Sequence, residues 1–211
     1  MDIRLLPCGV DAVLIEIREE DPDHALAGVL ALDAALRTTD LPVTDLVPAA
    51  RTLLAQCPAE RLAEARAAIV RLAAQVTAEA LPRPWRRVRI EVEYAGPDLG
   101  EVARLTGLQE HEVVTAHTGT PWRVAFGGFA PGFAYLVGGD PRLQVPRRDA
   151  PRTQVPAGAV GLAGRFSGIY PRASPGGWQL LGRTDAVLWD ATAVEPALLA
   201  PGTEVVFEAI R

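Results

Sequence analysis

The 211-residue sequence contains no lysine: all 21 of its basic residues are arginine. That absence excludes a lysine Schiff base and the lysine of a Walker-A nucleotide loop. Any ATP consumed in this protein's reaction is therefore expected on a partner chain. Cysteine is nearly missing too. Cys8 and Cys57 stand in unrelated contexts, without a CxxC pair or a zinc spacing, and read as small apolar residues rather than a disulfide. No run approaches the roughly 18 apolar residues of a membrane span. The leading MDIRLLPCGVDAV lacks a signal-peptide pattern, which points to the cytoplasm. A formal net charge of -5 weighs against nucleic acid as the main partner. There is no GxGxxG, HExxH or GxSxG, and no glycosidase-like carboxylate pair, so neither a metal nor a bound cofactor is expected on this chain.

What is present suffices for one large domain or two small ones, since 49% of the residues are hydrophobic. In the first part, Val13, Ile15 and Ile17 alternate with Leu14 and Glu16, a strand pattern. Ala25, Val29, Leu32 and Leu36 form one helical stripe. LPVTDLVP and ARTLLAQC read as two short strands. Pro58 opens a helix running to about residue 80, with Leu62, Ala65, Ile69, Leu72 and Val76 on its buried face. The order β-β-α-β-β-α predicts a small α/β sandwich with both helices on one face of the sheet. LPRPW, residues 81–85, is the expected boundary because its prolines stop the helix, giving domains 1–82 and 83–211.

The second part opens on RVRIEVEY, with Val88, Ile90, Val92 and Tyr94 on one side. Short helices are expected over 97–105 and 109–117, with Thr106 and Gln109 at capping-box spacing and Gly119 as a stop. Composition then shifts. Residues 127–177 hold 11 glycines, 7 prolines, six arginines and two aspartates, a local charge of +4. WQLLG, AVLWD and TEVVFEAI follow as strands, and the whole predicts a β-barrel with long ordered loops: an α+β protein.

The candidate site lies in that glycine- and proline-rich window. In PRRDAPRTQVP, prolines 146, 151 and 156 stiffen the loop, and Arg147 and Arg152 each follow one. Arginine forks on a stiff loop suit a carboxylate or phosphate; the alternative is ordinary salt bridging to the acidic remainder. In SPGGW, Gly176 and Gly177 are free to take positive φ and let a ligand approach the backbone, where consecutive N–H groups can form an anion nest or oxyanion hole, and Ser174 offers a hydroxyl. The alternative is a tight turn. His117, at the predicted end of its helix, is the candidate general acid or base, a position that favours an imidazolium; a capping or packing role is the alternative. In GGFAPGFAYL, residues 127–136, Phe129, Phe133 and Tyr135 alternate with small residues, as in a pocket wall or a glycine-kinked barrel strand.

GFAPGFAYL, VPRRDAPRTQVPAGAVGLAG, IYPRASPGGWQLLGRT and TGLQEHEVVTAHT resemble the family of 5-oxoprolinase B subunits, also known as KipI or allophanate hydrolase subunit 1. LPCGVDAVLIEI and DLVPAARTLLAQC resemble its N-terminal domain more loosely. GGF and TPW depart from the usual residues at their positions. The resemblance implies a cyclophilin-like barrel behind an α/β domain. It also implies two partners, the 5-oxoprolinase C subunit (allophanate hydrolase subunit 2-like) and the A subunit, in the ATP-dependent opening of 5-oxoproline to glutamate. Related sequences serve urea carboxylase, and one branch inhibits a sporulation histidine kinase. By motif position, the family's recognisable polar residues fall at His117, Arg147, Arg152, Gln154, Ser174, Gly176 and Gly177. His117 and Ser174 are then the candidate catalytic residues. The others, with Phe133 and Tyr135, are the candidate substrate contacts.

Overall fold

In the stretch AVLIEI every second side chain is apolar, so one face of the strand must be covered. The computed structural model, which describes residues 1–77 and 86–210, shows how. The chain divides into two units, Met1–Pro82 and Arg83–Arg211, and the LPRPW segment lies outside the described residues.

The first unit is a four-stranded antiparallel sheet in the order β1 (Ile3–Pro7), β2 (Ala12–Ile17), β4 (Thr52–Gln56), β3 (Asp45–Pro48). Helix α1 (Pro22–Arg37) starts where Asp21 accepts the N–H groups of Asp23 and His24. Its stripe Ala25, Val29, Leu32 and Leu36 is buried against Val13, Ile15 and Ile17. Helix α2 (Leu62–Gln75) adds Ile69 and Ala73 to the same core, so both helices cover one face. It begins later than its proline suggests, because Ala59–Arg61 forms a tighter 3₁₀ turn first. It also ends earlier than expected, at Gln75, because Val76 is already extended; residues 78–80 lie outside the described residues.

The second unit is a closed seven-stranded barrel. Around it run β10 (Phe166–Ile169), β7 (Ala134–Val137), β6 (Trp122–Gly127), β13 (Glu204–Ile210), β5 (Arg87–Glu93), β12 (Gln179–Arg183) and β9 (Ala159–Ala163). β13 pairs parallel to β5 over seven residues, from Glu204 opposite Arg87 to Ile210 opposite Glu93. Ile90, Val92, Val124, Leu136, Leu162, Leu181 and Phe207 pack in one core. Helices α3 (Leu99–Thr106) and α4 (Glu110–Gly119) add Val102, Val113 and Ala116 to it.

Two sequence expectations are corrected here. Thr106 does not cap α4: it is the last residue of α3, and its hydroxyl donates to the Val102 carbonyl at 2.8 Å. The reciprocal pair sits one turn later, with Glu112 accepting the Gln109 N–H at 2.7 Å. AVLWD is not a strand. Its alternation is real, with Leu188 buried and Val187 and Trp189 exposed, but it makes only the isolated bridge Trp189–Ala197.

Candidate functional site

Proline fixes the backbone of residues 146–156, and the chain uses that rigidity to build a small sheet outside the barrel. β8 (Arg152–Val155) pairs with β11 (Ser174–Gly176), setting Arg152 opposite Gly176 and Val155 opposite Ser174. The Arg148 N–H donates to the Gly177 carbonyl at 2.8 Å. The arginine loop and the SPGGW segment, expected separately to handle an anion, are therefore neighbours in space. Arg147 and Gln154 are exposed, whereas Arg152 and Ser174 are half-buried.

Gly176 and Gly177 are not at positive φ, so the nest inferred from their sequence is not formed; the segment is extended instead. Glycine is needed at 176 for a different reason. A Cβ there would lie 2.2 Å from the Tyr170 hydroxyl oxygen. That phenol takes a hydrogen bond from the Trp178 backbone. Burial raises its pKa, and Trp178, Arg147 and Arg152 oppose the rise. Ser174 donates only a long 3.3 Å bond to the Arg172 carbonyl, and among the described residues no histidine or carboxylate bonds it to activate it as a nucleophile.

The least anticipated member is Asp98. It precedes α3 in the position of a cap, but its side chain makes no bond to that helix. Oδ1 accepts from Arg148 Nη1 at 2.8 Å and Arg152 Nη2 at 2.7 Å, and Oδ2 accepts the Leu180 N–H at 2.7 Å. Burial alone would raise its pKa. The bonds from Arg152 and Leu180 and the two guanidinium charges outweigh that and hold the carboxyl below its usual range. The salt-bridging alternative holds for Arg152, which with Arg148 is tied into an ion cluster on Asp98, whereas Arg147 is exposed.

The GGFAPGFAYL stretch is the turn joining β6 to β7. Gly132 (φ 84°) and, unusually, Phe129 (φ 65°) take the left-handed conformation. Phe133 is buried and Tyr135 half-buried, and with Tyr170 and Trp178 they make ring contacts 5.1 to 6.4 Å apart, edge-to-face except for the tilted Tyr135–Trp178 pair. This is a packed floor beneath the β8–β11 sheet rather than an open wall: Phe133 is 3% exposed. Phe129 lies over its rim, against Phe133 and Tyr170, and is 58% exposed.

His117 does not belong to this group. It is wholly buried in the barrel. Nδ1 bonds the Tyr94 hydroxyl at 2.7 Å, Nε2 bonds Ser167 Oγ at 2.9 Å, and the ring packs on Phe207 at 4.4 Å. Burial lowers its pKa to about 3, so the imidazolium expected at a helix end is absent at neutral pH. Desolvation outweighs the helix dipole because the ring turns inward, and a sealed ring cannot serve as general acid or base. The signal for this is in the sequence: Val113, Ala116 and His117 stand at i, i+3 and i+4, the spacing of a core stripe.

A hollow of about 580 Å³ on the outer wall, lined by Arg89, Glu91, Glu93, Arg183, Asp185 and Glu208 among others, contains none of the expected site residues. Among the described residues no group of His, Cys, Asp and Glu is placed to hold a metal, and no helix is long and apolar enough to cross a membrane.

Residues 3–199 match the carboxyltransferase domain family, subdomain C and D. The 5-oxoprolinase B subunit of Escherichia coli O157:H7 is 48% identical over 132 residues, 61% of this chain and 61% of that protein. The one from Bacillus subtilis is 45% identical over 125 residues, 58% of this chain and 52% of that protein. The matches thus span a little over half the length of these relatives. The crystal structure of TTHA0988 superposes with a TM-score of 0.78 at 37% identity, covering 95% of this chain and 40% of that one. The urea carboxylase of Kluyveromyces lactis shares the fold, with a TM-score of 0.79 at 17% identity over 99% of this chain and 22% of that one.

Proposed function

The chain belongs to the carboxyltransferase domain family, subdomain C and D, and to the family of 5-oxoprolinase B subunits, and we propose on that premise that it is the B subunit of a complex opening 5-oxoproline to glutamate at the expense of ATP. The observation that carries this reading is the β8–β11 pairing, which gathers the arginine loop and the SPGGW segment at one place. 5-Oxoproline offers a carboxylate and a lactam. Arg147, exposed on its stiff loop, takes the carboxylate, with Arg152 and Gln154 beside it. The Ser174 hydroxyl, on leaving its long 3.3 Å bond to the Arg172 carbonyl, and the N–H groups of the extended 174–177 segment other than Pro175 serve the lactam as hydrogen-bond donors and do not attack it.

The amide carbonyl is stabilised by resonance, and phosphorylation of its oxygen removes that protection. With no lysine to hold nucleotide phosphates, this chain leaves that step to one of its partners, the A or the C homologue. Water then adds to the activated carbon, the ring C–N bond breaks and the nitrogen gains a proton, which leaves an acyl phosphate; a second water hydrolyses it to the carboxylate and inorganic phosphate. This chain's part is to bind and orient the acid.

Co-purification with the A and C homologues, followed by an assay for ATP-dependent glutamate release, tests the reading. Release that requires all three chains supports it; full release without this chain refutes it. The family's own description favours a second reading, transfer of a carboxyl group, which predicts turnover of carboxybiotin in place of 5-oxoproline.

A further inference from the structure

An aspartate placed before a helix ordinarily accepts the free N–H groups of the first turn. Asp98 forgoes that role, and its 3%-exposed carboxylate is spent on two arginines 50 and 54 residues further along the chain. Stability alone is a weak reason for such a cluster, because apolar residues of similar volume usually serve as well. Geometry is a better one. Residues 146–152 are held at several points: the Pro146 carbonyl accepts from Gln179 Nε2 at 3.3 Å, the Arg148 N–H binds Gly177, and the Arg148 and Arg152 side chains end on Asp98. Asp98 is itself anchored to β12 through the Leu180 N–H and by its own N–H to the Leu180 carbonyl. Arg147 is left exposed between two fixed neighbours.

We propose that Asp98 is the positioning residue of the anion site: by tying Arg148 and Arg152 to β12 it fixes the loop so that Arg147 meets a small carboxylate already ordered. The proposal rests on the functional reading above and adds to it the residue that shapes the site. A carboxylate so close to an anion site would by charge alone repel the ligand, so its removal would tighten binding. As a positioning residue it does the opposite, because its removal leaves a loop that must be ordered on each binding event. The two roles differ in the sign of the change in KM.

The test has two arms. In the first, the full chain is treated with trypsin, which cuts after arginine, and nicks within residues 147–152 are mapped by mass. 5-Oxoproline is expected to slow nicking of the unsubstituted chain, and 2-pyrrolidinone, the same lactam without a carboxylate, is not. Asp98→Asn is expected to be nicked about fivefold faster and to lose the protection. In the second arm, with the reconstituted complex, Asp98→Asn is expected to raise KM for 5-oxoproline about tenfold with kcat within about twofold, and Asp98→Glu to recover part of the loss. Nicking at the original rate, a lower KM, or a fall in kcat alone would overturn the proposal. If Asp98→Asn does not fold, Arg148→Met, which keeps the Arg152 and Leu180 links but deletes one cut site, is expected to speed nicking after Arg147 and Arg152 and to raise KM, each by less; no shift overturns the assignment. If the unsubstituted complex releases no glutamate, the functional reading falls, and the protection assay still decides Asp98: equal protection of both chains, or of neither, refutes it.

Discussion

Gly176 lies against Tyr170 so closely that a Cβ on residue 176 would sit 2.2 Å from the phenol oxygen and 2.8 Å from the ring carbon that bears it. The ring cannot step aside, because Tyr170 is 1% exposed and fixed by Phe133 and Trp178. Gly176→Ala is therefore expected to destabilise the second unit by about 1–3 kcal/mol, as overpacking does. Adding Tyr170→Phe, which removes the nearest atom, should return part of that loss. Denaturant melts of the two single variants and the double variant check this; additive losses would show that the two residues do not meet.

Arg147 and Arg152 follow prolines in the same loop but have different surroundings, so they should fail differently. Arg152→Ala leaves Asp98 with one arginine and is expected to cost about 1–3 kcal/mol. Arg147→Ala removes an exposed side chain and should leave stability within about 0.5 kcal/mol while raising KM for 5-oxoproline about tenfold. Thermal melts beside steady-state kinetics separate the two. Equal behaviour in both assays would contradict the division between a structural and a binding arginine.

His117 gives the barrel a pH dependence of defined sign. In the folded protein it stays neutral down to about pH 3, against an ordinary value of 6.5. Between those values the unfolded chain holds the extra proton, so acidification lowers stability by about 1.4 kcal/mol per pH unit for a full proton. Asp98 acts in the same direction, because its depressed pKa makes its contribution disappear as pH falls through the carboxylate range. His117→Gln should remove the first contribution and spare the second. Urea titrations of both proteins from pH 7 to pH 4 are expected to show their stability difference shrinking on acidification. A difference independent of pH would mean that the ring is not sealed. The pH profile of turnover near neutrality should carry no His117 limb.

Phe129 is the one non-glycine residue at positive φ among the described residues, and its ring is more exposed than covered. Phe129→Ala loses the edge contacts to Phe133 and Tyr170 and keeps the strained backbone; Phe129→Gly loses the same contacts and relieves the strain. The glycine variant is expected to be the more stable of the two by about 1 kcal/mol. Chemical denaturation measures the gap, and a more stable alanine variant would refute the strain.

Much of this architecture can be read one segment at a time. Val88, Ile90 and Val92 announce β5 by alternation, and Val29, Leu32 and Leu36 announce α1 by helical spacing, because each pattern is local. The proline rhythm of residues 146–156 likewise marks a rigid loop. Asp98 is not readable in this way, since its partners stand 50 and 54 residues away and no local spacing points to them. The neighbouring pair Arg147 and Arg148 cannot be ranked for a similar reason: which one turns to Asp98 is set by the Arg148–Gly177 backbone bond, a tertiary contact. Gly176 stands out in the sequence for its backbone freedom, whereas the real cause of its presence is a ring brought in from β10's end.

The parallel pairing of β13 with β5 has a consequence for how the protein is made. A nascent chain leaving the ribosome can complete the contacts of its first 77 residues early, yet the cylinder has no seventh stave until residues 204–210 emerge. Until then β5 and β6 each wait for the same late neighbour, with apolar residues such as Val92 and Val124 uncovered, so the second unit should mature late and depend most on chaperones during synthesis.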